Sequence, residues 1–492
     1  MNNKKTLSLE KVRENMQIIG RNDEVAELKR YMESGKAEFI AVYGRRRVGK
    51  TFLVSTCFND SFAFSATGIL GGKFKDEIEA FGDALIDYGY IGDAPKNWRE
   101  AFRALKSLLS SNLSEGTRCV IFLDELPCFA TRNSGFVKQL DHFWNDWASK
   151  HPEVFLIVCG SATSWIVRNL IDNKGGLHDR ITHEMHLYPF TLADTSEYLK
   201  SAGAEWDALT IVQTYMILGG IPYYLSLLNP NLSLAQNIDN LFFSRKAELK
   251  KEYKRLYKSL FTNPEKYMDV IKVLADTRKG LTRSEIADKL KIENNGHLSD
   301  MLEDLVNCDF IRLYNIKVKK ISATGGIYCL IDFYSIFYHE FGRARTTDTQ
   351  YWTKTLESQV QSTWWGLAYE RVCQAHMPQV LSALGVSSVR TEYYSWRGKK
   401  DPNSKERNVQ VDIIIERADR IINLCEVKYT SEDEYELTVE EKDKIKKRVS
   451  KFRKETGTKY GIVPTLLTTY GLKPGINSGA VKRTITMFDL FK

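Results

Sequence analysis

The residue pattern with the clearest chemical meaning is Gly44-x4-Gly49-Lys50-Thr51, which follows an apolar run at residues 39–43. Glycines allow the backbone to wrap around phosphate, so that successive N–H groups and the start of the next helix face the anion. In such a loop the lysine reaches the β- and γ-phosphates of a nucleotide and the threonine hydroxyl binds Mg²⁺. The sequence therefore predicts a strand, a phosphate-binding loop and a helix that begins at Lys50. The residues expected to contact the nucleotide are Gly44, Arg45, Arg46, Arg47, Val48, Gly49, Lys50, Thr51 and Phe52.

Two later apolar runs end in polar side chains that suit the same chemistry. The run CVIFLDEL at residues 119–126 is continuously apolar, as a buried parallel strand is, and it contains Asp124 and Glu125 near its end. We expect Asp124 to hold Mg²⁺ and Glu125 to orient or deprotonate the attacking water. The run VFLIVCGSATSW contains Ser161, a polar group suited to sensing the γ-phosphate. ATP and Mg²⁺ are therefore the expected cofactors, and ATP hydrolysis is the expected activity.

A second set of charged residues lies near the C-terminus. Asp412 lies in the apolar segment NVQVDIIIE, and a short turn separates that segment from IINLCEVKY, which contains Glu426 and Lys428. Carboxylate and carbonyl oxygens suit Mg²⁺, and Lys428 is placed to stabilise charge in a phosphoryl-transfer transition state. Glu370, on a preceding predicted helix, adds another carboxylate. The alternative is a cross-strand charge pair on a solvated face, but the apolar surroundings favour burial, where unpaired charges are costly.

Length and composition indicate the class of protein that carries these sites. With 492 residues, 43% of them apolar and 27% charged, the chain is expected to form two to four globular domains. A net charge of +8 is compatible with a polyanionic partner without requiring one. The eight cysteines form no CxxC pair and are interpreted as buried thiols in a reducing compartment. The absence of an apolar leader or of eighteen consecutive apolar residues predicts a cytoplasmic protein without a membrane partner.

The segments between the two sites are interpreted as connecting domains. Residues 191–260 read as helical, including a basic stretch at 244–259 that is interpreted as a solvated face, with phosphate contact as the alternative. Residues 265–321 fit three helices and a strand pair, the outline of a winged helix-turn-helix, whose third helix usually enters the DNA major groove.

The predicted third helix is poorly suited to bind DNA. It carries Asp300, Glu303 and Asp304, which phosphates would repel. The following wing is basic through a set of four residues, Arg312, Lys317, Lys319 and Lys320. Either the wing contacts DNA, or the module joins domains and contacts protein.

Several motifs in the N-terminal half resemble the archaeal-type ATPase family, a branch of the STAND/AAA+ P-loop NTPases. They are IIGRNDEVAEL, YGRRRVGKT, FLDEL, CGSATSW, GGLHDR, LYPFTLADTSEYL and GGIPYYL, and they cover about residues 15–235 in the family's order. The resemblance implies that Gly20 and Arg21 lie beside the adenine pocket. It also implies that Arg180 senses the γ-phosphate, with an ordinary surface arginine as the alternative. The alternating segment ITHEMHLY makes His183 and His186, together with His178, core or surface residues rather than metal ligands.

The C-terminal region resembles the PD-(D/E)XK nucleases. Its predicted order from residue 362 is helix, three strands, helix and strand, and it is similar to the nuclease-related domain of unknown function that follows this ATPase in many relatives. The resulting fold class is α/β and multidomain. The predicted domains are a P-loop ATPase core at 1–190, a helical lid at 191–260, a winged helix-turn-helix at 261–345 and a nuclease-like domain at 346–492.

Three classes of function are consistent with these features. The first is an ATP-driven switch that acts on DNA and carries a Mg²⁺-dependent nuclease tail, with Lys50, Asp124, Glu125, Ser161, Arg180, Asp412, Glu426 and Lys428 as catalytic residues and Thr51, Asp124, Glu370, Asp412 and Glu426 as metal ligands. The second is a regulatory or signalling NTPase whose winged helix and tail only bind DNA or protein. The third is a nucleotide-driven remodelling factor without a nucleic-acid partner. The expected partners are ATP and DNA, with a protein partner or a homo-oligomer as further alternatives.

Overall fold

The computed structural model describes residues 18–111, 113, 116–171, 180–277, 280–314, 326–344, 346–398 and 409–492. The chain forms two compact units. The first comprises the residues up to Pro189 together with Leu256–Pro264 and Glu303–Asp309, and the second comprises Phe190–Arg255, Glu265–Leu302 and Phe310–Lys492. Within the described ranges, no helix combines the length and the apolar character that a membrane crossing requires.

The first unit is built on a five-stranded parallel sheet. Its strands are β1 (Glu38–Tyr43), β2 (Phe64–Thr67), β3 (Cys119–Asp124), β4 (Val154–Gly160) and β5 (His183–His186). They are arranged in the order β2-β3-β4-β1-β5, and all four neighbouring pairs are parallel. The three strands that the apolar runs predict, β1, β3 and β4, are almost wholly buried. The prediction of an α/β fold with a parallel sheet is therefore confirmed.

Helices cover this sheet and bury aromatic side chains against it. The helices of the first unit are α1 (Asn22–Met32), α2 (Lys50–Cys57), α3 (Phe74–Asp87), α4 (Trp98–Ser110), α5 (Leu126–Phe129), α6 (Phe136–Asp146) and α7 (Thr163–Ile166). Trp98 at the start of α4 is fully buried and packs edge-on against Phe81 and Phe136, at ring-centroid distances of 5.3 and 4.7 Å. Because β4 lies between β1 and β3, the ends of these three strands meet at one edge of the sheet, where α/β folds bind their ligands.

The remaining helices lie mostly in the second unit. They are α8 (Leu192–Ser201), α9 (Ala208–Leu218), α10 (Pro222–Ser226), α11 (Leu234–Ile238), α12 (Glu248–Leu260), α13 (Pro264–Ala275), α14 (Arg283–Leu290), α15 (Gly296–Asn307), α16 (Phe333–Phe337), α17 (Tyr351–Lys354), α18 (Gln359–Ala375), α19 (Met377–Ala383) and α20 (Val439–Thr456). Helices α13, α14 and α15 precede an antiparallel strand pair, β6 (Ile311–Tyr314) and β7 (Ile327–Leu330). Thr282 caps α14, since its side chain accepts a hydrogen bond from the Glu285 N–H. The winged helix remains a prediction, since most of its basic wing, Lys317, Lys319 and Lys320, lies outside the described residues.

The C-terminal part of the second unit is a separate mixed sheet. Its strands are β8 (Thr391–Arg397), β9 (Gln410–Arg417), β10 (Ile421–Lys428), β11 (Gly461–Thr468) and β12 (Arg483–Thr486), arranged in that order. Strands β8 to β10 are antiparallel, whereas β10 to β12 are parallel. Helix α20 covers one face, where Phe452 packs with Leu424 and Trp396. Helix α18 contacts β10 and donates a hydrogen bond from Tyr369 to the Thr468 carbonyl. The assignment of this sheet and its helices as a nuclease-like domain remains a prediction.

Candidate functional site

The phosphate-binding loop is shaped by a glycine that no other residue can replace without a clash. Gly44 follows β1 with a φ of 141°, and a Cβ atom on it would lie 2.3 Å from the Leu187 carbonyl oxygen. Leu187 is held there because its N–H donates to the Tyr43 carbonyl at 2.8 Å, which continues the pairing of β1 with β5. Gly49 closes the loop with a φ of 94° and forms the N-cap of α2. The predicted strand, loop and helix are therefore all present.

Lys50 lies buried at the start of α2, where its side chain closes back over the loop. Its Nζ donates to the carbonyl oxygens of Gly44 and Arg45, at 2.9 and 3.1 Å, and to Ser161 Oγ at 3.0 Å. Burial lowers the pKa of Lys50, while the nearby Glu125 carboxylate opposes that effect. The partners of this ammonium are thus mainly neutral oxygens, which the more strongly accepting oxygens of a phosphate can replace.

Asp124 and Thr51 come together as the sequence predicts. Thr51 Oγ1 donates to Asp124 Oδ2 at 2.8 Å, and the Glu125 N–H donates to Asp124 Oδ1 at 2.9 Å. Burial raises the pKa of Asp124, and the hydrogen bond from Thr51 works in the opposite direction. A hydroxyl and a carboxylate in contact supply the hard oxygen ligands that Mg²⁺ prefers, so the residues present fit this ion.

Glu125 and Ser161 complete the arrangement. Glu125 adopts a left-handed backbone conformation with a φ of 47° directly after β3, which is an unusual conformation for a non-glycine residue. Its carboxylate accepts hydrogen bonds from Ser161 Oγ at 2.9 Å and from the Ser161 N–H at 3.3 Å. Ser161 therefore links the carboxylate of Glu125 to the ammonium of Lys50. Such backbone strain is concentrated at functional sites.

The other predicted nucleotide-contacting residues differ in exposure and in contacts. Arg45 and Val48 are buried, Arg46, Arg47 and Gly49 are half-buried, and Phe52 is 63% exposed. Gly20 precedes α1 and has a φ of 66°, and the Arg21 guanidinium donates to the carbonyl oxygens of Val48 and Tyr188, at 3.0 and 2.8 Å. Arg21 thus braces the phosphate-binding loop, a role that the sequence does not predict. Arg180 is exposed in the turn before β5, and residues 175–179 beside it lie outside the described residues.

Comparison with known proteins finds a family match for this part of the chain. Residues 18–228 match the family model described as an ATPase domain predominantly from Archaea. The match contains the phosphate-binding loop, both carboxylates and Ser161. Residues 18–228 are therefore similar to an archaeal-type ATPase domain. The resemblance seen in the sequence is confirmed for this domain.

One relative and two solved structures are similar to a larger part of this chain, with low sequence identity. An uncharacterized protein of Methanocaldococcus jannaschii is 24% identical over 326 residues, which cover 66% of this chain and 68% of the relative. The Walker-type ATPase of Pyrococcus abyssi is similar over 65% of this chain and 96% of its own, with 19% identity and a TM-score of 0.45. The ORC2 protein of Aeropyrum pernix is similar over 71% and 95% of the two chains, with 13% identity and a TM-score of 0.42.

The acidic residues of α15 have partners that the sequence does not reveal. The Arg168 guanidinium, in the π-helical turn that follows α7, lies 3.1 Å from Glu303 and 3.0 Å from Asp304. Ser164 Oγ donates to the Asp304 carbonyl at 3.3 Å. These residues belong to the same compact unit, although about 135 positions separate Arg168 from Glu303. Two of the three acidic residues of α15 therefore face Arg168 of the ATPase domain.

The histidines of β5 pack in this unit as core and surface residues. His183 Nε2 lies 2.9 Å from Glu27 and its ring stacks on Tyr31, while His186 stacks on Tyr43 and lies 3.1 Å from Asp309. His178 lies outside the described residues. Among the residues that the structure describes, no group of three or more His, Cys, Asp or Glu side chains is arranged to hold a metal ion.

Outside the ATPase domain, the charged residues of β10 form ion pairs with α20. Glu426 and Lys428 are 17% and 27% exposed and point to the same face of the sheet, with Lys428 Nζ lying 3.4 Å from Glu426. Lys428 Nζ also lies 2.9 Å from Glu441 on α20. Arg448 on the same helix forms an ion pair with Glu426. Sequence reasoning missed Glu441 and Arg448, because only the fold brings α20 onto this face of β10.

The remaining predicted metal ligands of the tail are positioned by their elements. Asp412 lies on β9 directly before Ile413, which is paired with Cys425, but its side chain lies outside the described set. Glu370 lies on α18 and accepts a hydrogen bond from Gln374 at 3.2 Å. A metal site formed by Glu370, Asp412 and Glu426 therefore stays a prediction.

Proposed function

We propose that the ATPase domain binds and hydrolyses ATP in a Mg²⁺-dependent reaction. The observation that carries this proposal is a continuous hydrogen-bonded series at the end of three neighbouring strands. It runs from Thr51 through Asp124 and Glu125 to Ser161 and Lys50. These groups are the phosphate, metal and water ligands that phosphoryl transfer to water requires.

Each residue has a role that its position supports. Lys50 and the loop N–H groups bind the phosphates, and Thr51 and Asp124 hold Mg²⁺, which neutralises charge on the phosphate oxygens. Glu125 orients the attacking water and accepts its proton. Ser161 is hydrogen-bonded to both Lys50 and Glu125, so it holds the phosphate-binding ammonium beside the carboxylate that activates water.

The proposal is tested by removing Mg²⁺ and by replacing the Asp124 carboxylate. We expect phosphate release from ATP in the presence of Mg²⁺ to stop when EDTA is added, and Asp124→Asn to lower the rate about 100-fold. Asp93→Asn, at an exposed position of the same unit, is the matched control and should retain the wild-type rate. Undiminished hydrolysis in EDTA, or by Asp124→Asn, would contradict the proposal.

A second candidate function is an ATPase that acts on DNA and carries a Mg²⁺-dependent nuclease in its tail. Its support is that Glu426 and Lys428 share a face of β10 while Asp412 lies on the neighbouring strand β9. The competing function is a regulatory or signalling NTPase whose tail only binds DNA or protein. Its support is that Arg448 and Glu441 already neutralise Glu426 and Lys428. The contacts of Arg168 with Glu303 and Asp304 likewise favour a winged helix that contacts protein through α15.

Plasmid cleavage distinguishes the two tail functions. The nuclease proposal predicts Mg²⁺-dependent nicking or linearisation that Lys428→Ala abolishes and Lys473→Ala, at an exposed lysine of the same unit, leaves unchanged. Intact plasmid after incubation with the wild-type protein, together with a salt-sensitive shift of the DNA in a gel, would favour the binding-only function. Intact plasmid without any shift would favour a remodelling factor that has no nucleic-acid partner.

A further inference from the structure

Helix α20 carries an unusual concentration of positive charge. Seven of the eleven residues from 444 to 454 are lysine or arginine, and none is acidic. The acidic residues of the helix, Glu440, Glu441, Asp443 and Glu455, lie towards its two ends. Like charges three or four residues apart on a helix repel one another. A bound polyanion would relieve that repulsion.

The helical repeat separates this charge from the apolar face. Ile445 and Phe452 are buried, and the Phe452 ring packs edge-on against Trp396 of the sheet at 5.1 Å. A set of cations, which we call the basic band, lies along one flank of that apolar face. Its later members follow the first at spacings of three, four, seven and ten residues. The basic band consists of Lys444, Lys447, Arg448, Lys451 and Lys454.

The basic band contacts the charged residues of β10 at its middle. Arg448, in the middle of the band, forms the ion pair with Glu426, and Glu441 in the first turn of the helix lies 2.9 Å from Lys428. On both sides of Arg448 the band is open to solvent, since Lys444 and Lys447 before it and Lys454 after it are exposed. The rise along the helix from Lys444 to Lys454 is about 15 Å. Duplex DNA carries a charge about every 1.7 Å along its axis, so several phosphates lie within that length.

We propose that the basic band binds the phosphate backbone of DNA and guides it to Lys428. This inference rests on the proposed DNA-directed function of the tail and names the residues that would bring the DNA there. A lipid surface fits less well, because a membrane-binding helix inserts large apolar side chains, and those in the middle of α20, Ile445 and Phe452, are buried in the protein.

The test is the affinity of the full chain for a fluorescein-labelled duplex of random sequence, measured by anisotropy in EDTA at several salt concentrations. The variant Lys444→Ala/Lys447→Ala/Lys454→Ala removes three charges of the band, and Lys36→Ala/Lys150→Ala/Lys200→Ala removes three from exposed positions elsewhere. We expect the band variant to weaken binding about 10- to 100-fold at low salt and to reduce the salt slope by about 2–3. The control variant should bind within about twofold of the wild type, and equal melting temperatures would exclude unfolding.

Three results would overturn the inference: no binding of the duplex by the wild type, equal losses in the two variants, or loss of polyglutamate binding in the band variant with DNA binding retained. The last would assign the band to an acidic protein segment. Because EDTA prevents metal-dependent cleavage, the result does not depend on nuclease activity. If plasmid stays intact while the band variant loses DNA binding, the nuclease proposal fails and this inference stands.

Discussion

The molecule contains two lysine–carboxylate sites that differ in how their charges are satisfied. In the ATPase domain Lys50 and Asp124 are buried, and their hydrogen-bond partners are backbone groups and hydroxyls. In the tail Glu426 and Lys428 are partly exposed and form ion pairs with Arg448 and Glu441. Neutral partners leave a charged side chain ready to bind a charged ligand, whereas ion pairs must first be broken.

The surroundings of each site determine how much its charged groups gain when they bind a ligand. Burial without a full counter-charge disfavours the charged form, and it lowers the pKa of Lys50 and raises that of Asp124. A phosphate and a divalent cation would compensate for this cost. In the tail, by contrast, Arg448 and Glu441 already supply the counter-charges, so a ligand there must compete with existing ion pairs.

The largest effect is expected at the buried lysine. Lys50→Ala removes the charge that holds the β- and γ-phosphates, and we expect ATP hydrolysis to fall about 10²–10³-fold at saturating ATP. Phosphate release measures this rate. Lys36→Ala, at an exposed position of the same unit, should leave the rate unchanged. If Lys50→Ala kept more than a third of the activity, Lys50 would not differ functionally from a surface lysine.

The backbone around the same site should be nearly as sensitive. Gly44→Ala places a Cβ atom 2.3 Å from the Leu187 carbonyl and is expected to destabilise the protein by about 2–4 kcal/mol in chemical denaturation. Gly35→Ala is the matched control, because Gly35 also has a positive φ, 68°, but has nothing within 4 Å of the added atom. Equal losses for the two variants would mean that positive φ alone, and not the close approach to β5, makes Gly44 necessary.

The smallest effect is expected in the tail, where an ion pair competes with a metal ion. If Asp412 and Glu426 bind a divalent ion, Arg448→Met removes the cation beside Glu426 and should tighten Mn²⁺ binding about fivefold in calorimetric titration of the full chain without nucleotide. Asp124→Asn in every variant removes the contribution of the ATPase site. Arg453→Met, on the same helix but exposed, should bind as the wild type does. No Mn²⁺ binding by any variant would leave the tail site as a structural ion-pair cluster.

Local patterns predicted the elements of the ATPase site because its residues lie at the ends of short apolar runs. The strand before Gly44, the helix that begins at Lys50 and the strand that ends at Asp124 each follow from fewer than ten neighbouring residues. Their convergence also follows, since neighbouring parallel strands end at the same edge of a sheet. Ser161 was reached by the same reasoning, and its hydrogen bonds to Lys50 and Glu125 give it a defined place in the site.

Contacts between distant segments could not be predicted in this way. Nothing near Arg168 indicates that Glu303 and Asp304 will face it, and nothing in the basic sequence of α20 indicates that Glu441 and Arg448 turn towards β10. Such pairs depend on how whole elements pack, which the spacing of residues along one element does not specify. The bracing of Val48 by Arg21 was missed for the same reason.

The most direct test of the ATPase site separates nucleotide binding from hydrolysis in Glu125→Gln. This substitution keeps Asp124, Thr51 and Lys50 but removes the carboxylate that accepts the proton of the attacking water. We predict that ATP binding, measured with a fluorescent analogue in Mg²⁺, stays within about threefold of the wild type while phosphate release falls about 10²–10³-fold. Glu33→Gln, at an exposed position, should change neither. Hydrolysis by Glu125→Gln at the wild-type rate would contradict the assignment of Glu125 and, with it, the proposed arrangement of the site.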